Sequence, residues 1–140
     1  MADSDQPKMF RTLRGFLNGE EPDEANYFRF SAMLRIHGDE AGARVAYERV
    51  IDSGHGDWAP AAFINLLSLL RKSHDLDSAR VAYRTAIETR NPEAPYALLV
   101  IGQILRTRGD IEGAQTAFEQ ALAAGYKDAE EMLQEINRAE

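Results

Sequence analysis

From residue 24 onward the apolar positions follow the rhythm of amphipathic helices, with intervals of three and four, and polar or glycine-containing breaks interrupt them at regular distances. In the middle of the chain Phe63, Leu66, Leu67 and Leu70 stand at i, i+3, i+4 and i+7, one face of a helix. Asp57 reads as its cap, with Pro60 in its first turn. A second helix follows Asp75 and runs to about Thr89, where Asn91-Pro92 breaks it. The same pair is read on either side, over 23–36 and 40–53, and over 93–107 and 111–124. A last helix over 128–138 puts Ala129, Met132, Leu133 and Ile136 on one face, with Glu130, Glu131, Gln134 and Arg138 opposite, as the cap of a stack would. Near the start Met9, Phe10, Leu13, Phe16 and Leu17 share a face opposite Lys8, Arg11 and Arg14, and Asn18-Gly19 ends that stretch. Residues 1–6 are expected to be disordered.

The helical pairs are copies of one another. His74-Asp75-x-x-x-Ala79-x-x-Ala82-Tyr83-x-x-Ala86 echoes Gly38-Asp39-x-x-x-Ala43-x-x-Ala46-Tyr47-x-x-Val50, and it recurs as Gly109-Asp110-x-x-x-Ala114-x-x-Ala117-Phe118-x-x-Ala121. The aspartates are 36 and then 35 residues apart. A fixed period of that size is the mark of stacked repeats. Each Asp is a favoured N-cap and sits well against the positive end of its helix dipole. The alanines are short because two helices approach closely only where side chains leave room. The pattern resembles the tetratricopeptide repeat, a pair of antiparallel helices of about 34 residues. The resemblance covers about residues 24–127. It implies an all-α, right-handed α-solenoid of three helical hairpins, over about 23–57, 58–92 and 93–127. An N-terminal amphipathic helix and linker over 7–22 and a capping helix over 128–140 would flank them. The departures are specific: the usual early Trp is Tyr27, Phe63 and Leu98, and the small residue of the buried face is Ser31 and Gly102 but Leu67 in the middle copy.

The resemblance further implies a concave groove lined by the first helix of each copy. Helical geometry beside the buried face gives Ala25, Phe28, Arg29, Ala32, Arg35 and Ile36 in the first copy. The second offers Ala61, Ile64, Asn65, Ser68, Arg71 and Lys72, and the third Tyr96, Leu99, Val100, Gln103, Arg106 and Thr107. No acid is among these eighteen positions and five are basic, although the chain holds 23 acids against 16 bases. Arg35, Arg71 and Arg106 repeat in register, beside apolar Phe28, Ile64, Tyr96, Leu99 and Val100. Such a surface suits a peptide that carries carboxylates. The same arginines also lie in last helical turns, where the dipole favours cations whatever the partner. Some members of the family grip the carboxylate at a chaperone tail with Lys, Asn and Arg. Phe28 and Ala32 stand where Lys and Asn are needed and only Asn65 matches, so that activity is not expected here.

Composition narrows the class. The 140 residues suffice for a domain with a core, and 44% apolar against 28% charged favours a globular chain. There is no cysteine, which excludes disulfides and thiolate metal sites and fits a reducing, cytoplasmic setting. Residues 1–17 lack the pattern of a leader, and no apolar run reaches the roughly 18 residues of a membrane span. A charge of −7 argues against nucleic acid. No nucleophile elbow, phosphate loop or His-Glu metalloprotease spacing occurs, so neither enzyme activity nor a cofactor is expected. His37 and His74 fall in turns with only Asp39 and Asp75 near in sequence, and those aspartates already serve as caps, so no metal is expected. Trp58 reads either as a staple of the second hairpin or as an anchor for a partner. The N-terminal helix reads as a cap on the first hairpin, or as a docking element for a second copy, a groove or, weakly, a membrane. The reading is therefore a non-catalytic adaptor or scaffold that binds a protein or peptide, an acidic one by its groove, through Phe28, Arg29, Arg35, Ile64, Asn65, Ser68, Arg71, Lys72, Tyr96, Leu99, Gln103 and Arg106. The alternative is a scaffold that self-associates through its N-terminal helix or open repeat end.

Overall fold

The computed structural model describes residues 24–139. The tail over 1–6 and the helix expected over 7–22 lie outside the described residues. The described secondary structure is helical throughout: α1 (Glu24–Ile36), α2 (Glu40–Ser53), α3 (Trp58–Ser73), α4 (Leu76–Glu88), α5 (Ala94–Thr107), α6 (Ile111–Ala123) and α7 (Asp128–Ala139). The chain forms two compact units, one ending at Leu66 and the other beginning at Leu67, so the boundary falls inside α3.

The turn that ends the first helix of each pair explains why the sequence repeats as it does. Asp39, Asp75 and Asp110 accept from the backbone N–H of Gly42, Ser78 and Gly113 at 2.9, 3.1 and 2.9 Å. Their backbones are near-copies, with φ of −89, −86 and −84°. The N–H groups of the three aspartates reach back to the carbonyls of Leu34, Leu70 and Leu105 at 2.8–3.0 Å. This closes the preceding helix with a Schellman turn, whose central residue must be left-handed. Gly38 and Gly109 take that conformation at φ of 82 and 88° without cost, whereas His74 takes it at 56° with a side chain. The other joint repeats the contrast, with Gly54 and Gly125 in two copies and Arg90 in the middle one, at φ 56°.

In the first unit α1 and α2 pack together through Tyr27, Phe30, Leu34, Ala43, Ala46 and Tyr47, all buried. In the second, α6 packs against α5 and α7, and α4 against α5. The alanines read as crossing residues are fully enclosed, Ala43, Ala79 and Ala114 each with no exposed surface. A close crossing lies at Gly102, where a Cβ would stand 2.5 Å from Cε1 of Phe118. Ser31 fills the equivalent place in the first unit, buried, with its hydroxyl satisfied on the Phe28 carbonyl. The middle copy departs. Leu67 is fully buried where its counterparts are small, and Tyr83, read as a core aromatic, stays half-buried, while Tyr47 and Phe118 are enclosed.

One cap differs from expectation. Asp57 does not cap α3. Nδ1 of His55 accepts from the N–H groups of Asp57 and Trp58, both at 3.3 Å, and the His55 carbonyl accepts from Ala59 at 2.9 Å. The residues Gly54 to Asp57 form a compact turn, and in it the imidazole reaches the free donors before the carboxylate does.

Candidate functional site

In the first unit the expected groove residues are only partly free. Phe28 is half-buried, its ring 5.2 Å from that of Trp58 and 6.3 Å from that of Tyr47. Trp58 thus packs the start of α3 against α1. Phe28 is therefore part of an aromatic cluster rather than an isolated anchor. Beside the cluster, the Arg49 guanidinium lies 4.9 Å from the Tyr27 ring centroid. Arg29 is exposed, and Arg35, Ile64 and Asn65 are half-buried.

In the second unit the pattern divides. Ser68 is half-buried and Arg71 and Lys72 are exposed, as helical geometry implies beside buried Leu67 and Leu70. On α5 the geometry overrules the expectation, because Tyr96, Leu99 and Val100 are at most 8% exposed. Tyr96 is held from two sides: its hydroxyl shares a hydrogen bond of 3.1 Å with Ser68, and its ring lies 5.8 Å from Tyr126, just ahead of α7. The sequence carried a signal for this. Tyr96 to Ile101 is an unbroken apolar run, so α5 is apolar all round and is buried all round.

The polar end of the same helix opens onto a cleft of about 510 Å³. Arg71 and His74 line it from the end of α3, Gln103, Arg106 and Thr107 from α5, and Met132 from α7. Ile104, 1% exposed, closes its floor. Three of the residues read from sequence, Arg71, Gln103 and Arg106, thus meet around one space. Arg106 Nη1 donates to Glu135 Oε2 of α7 at 2.8 Å, with both side chains more than a third exposed. Arg71 makes no ion pair or hydrogen bond among the described residues. Gln103 Oε1 is buried without a hydrogen-bond partner. The hydroxyl of Thr107 is already spent on the Gln103 carbonyl at 3.0 Å. Arg108 Nη2 donates to the His74 carbonyl at 3.1 Å and pins the left-handed turn that presents the imidazole.

The cleft offers cationic and amide groups over an apolar floor. Among the described residues no three His, Asp or Glu side chains converge as metal ligands would. Sequence reasoning missed Glu135. It stands three residues from Met132 and so shares its helical face, but a lone acid on an acidic helix looks like solvated surface. It also missed the strain at His74, whose sign was the replacement of the repeat's glycine.

Among the described residues no helix is long and apolar enough to cross a membrane. Residues 95–124, which hold nearly all of α5 and α6, match the family model of the tetratricopeptide repeat, and there the chain is a repeat of that family. No curated protein matches the chain.

Proposed function

With the tetratricopeptide repeat at residues 95–124 as premise, we propose that this chain is a non-catalytic cytoplasmic adaptor that holds a peptide segment of a partner protein. Repeats of this family are in general protein–protein interaction modules. The reading is supported above all by the meeting of Arg71, Gln103 and Arg106 around one cleft with an apolar floor. A pocket with a few convergent polar groups over apolar side chains is the ordinary form of a recognition site. Its cations, in a chain of net charge −7, favour an acidic segment.

The test is affinity selection with two baits in parallel, wild type and Arg71→Glu. Arg71 is exposed and has no ion-pair partner among the described residues, so its reversal leaves the fold intact. The reading expects partners retained by wild type and lost from the variant. Equal recovery on both baits would remove the cleft as the binding site.

A further inference from the structure

One of the two arginines lining the cleft at the end of α3 and α5 is already paired with a carboxylate of the chain itself. Glu135 sits on Arg106, while Arg71, also lining the cleft, has no anion among the described residues. Gln103 presents a buried acceptor with nothing donating to it, an unusual state for a buried polar atom. His74 keeps a side chain at a left-handed position where the other two copies use glycine. Strain of this kind persists where the surroundings hold it and tends to gather at working sites.

Building on the interaction reading, we propose that the cleft receives an Asp or Glu side chain from within an extended peptide, and that Glu135 is its internal competitor. The incoming carboxylate pairs with Arg71, in a charge-assisted bond of the kind Arg106 makes with Glu135. The next apolar side chain of the peptide lies against Ile104 and Met132. A neutral or basic peptide offers nothing to Arg71. A doubly charged phosphate is less suited than a carboxylate, because Arg106, the second cation of the cleft, is already paired with Glu135.

The experiment uses the full chain and an array of random peptides of about ten residues, blocked at both ends so that every carboxylate is a side chain. Peptides that bind are titrated by fluorescence anisotropy against wild type, Arg71→Gln and Glu135→Gln. The expected result is a shared Asp or Glu followed by an apolar residue. Affinity should fall roughly tenfold or more in Arg71→Gln, from the loss of a charge-assisted bond. It should rise about threefold in Glu135→Gln, which frees Arg106 from an exposed pair. A merely structural Glu135 would not strengthen binding when neutralised. Bound peptides with no acidic residue, or affinities unmoved by Arg71→Gln, would overturn the inference and leave the interaction reading standing. Weaker or unchanged binding in Glu135→Gln would overturn the competitor role. No bound peptide at all would bring down both.

Discussion

Gly102→Ala adds one carbon at a close helix crossing in the second unit. An ideal Cβ there stands 2.5 Å from Cε1, 2.7 Å from Cδ1 and 3.0 Å from Cζ of Phe118. Carbon atoms rest at about 3.5–4.0 Å, so three ring atoms are approached at once by up to about 1 Å too much. Phe118 has no exposed surface, and its ring has no solvent to swing into. Overpacking of this kind costs about 1–3 kcal/mol, and a clash against an enclosed ring belongs in the upper part of that range. Alanine returns about 1 kcal/mol through its better helix propensity. The net expectation is a loss of about 1–2 kcal/mol, or roughly 4–8 °C in Tm for a chain of this size. Urea unfolding followed by far-ultraviolet circular dichroism measures it, with the m-value unchanged. A double-mutant cycle supplies the cause. Added to Phe118→Leu, which leaves room beside the glycine, Gly102→Ala should cost about 1 kcal/mol less than it does alone. A single variant as stable as wild type, or more stable, would mean that the crossing has space and that the reasoning about close approach is wrong.

Tyr83→Ala should cost clearly less than Phe118→Ala, which is expected to lose about 3–5 kcal/mol, because Tyr83 is only partly buried while Phe118 is enclosed; equal losses in parallel urea titrations would contradict that. His74→Gly should raise stability by about 1 kcal/mol, since it relieves a side chain at φ 56°, and should at the same time weaken peptide binding by removing the imidazole from the cleft. Burial, and then the charge of Asp128, hold the Tyr126 phenol above the ordinary tyrosine value of 10.0. Its contribution to stability is present below that value and is lost as pH rises through the folded one, so Tyr126→Phe should flatten the alkaline fall in unfolding free energy.

The helices, their caps and their repetition were decided locally and so could be read from the sequence. The spacing of Phe63, Leu66, Leu67 and Leu70 fixes a face because a helix turns every 3.6 residues or so, and Asp39, Asp75 and Asp110 cap because a short acceptor ahead of a helix finds only its own free N–H groups. The small residues Gly102 and Ser31 on the buried face were legible through the resemblance to the repeat. What register could not decide was which apolar residues beside the buried face would find a neighbour. Tyr96 and Phe28 both stand beside the buried face of their helices, yet Tyr96 is clasped by Ser68 and Tyr126 while Phe28 leans on Trp58 and Tyr47. Those partners are distant in sequence, and whether they arrive depends on how α1, α3, α5 and the approach to α7 pack. The cleft is of the same kind. Its arginines were legible as a helix-end pattern, but the Glu135 carboxylate that occupies Arg106 comes from 29 residues further on. Helical periodicity specifies which way a side chain points, and only the packing of the helices specifies what it meets.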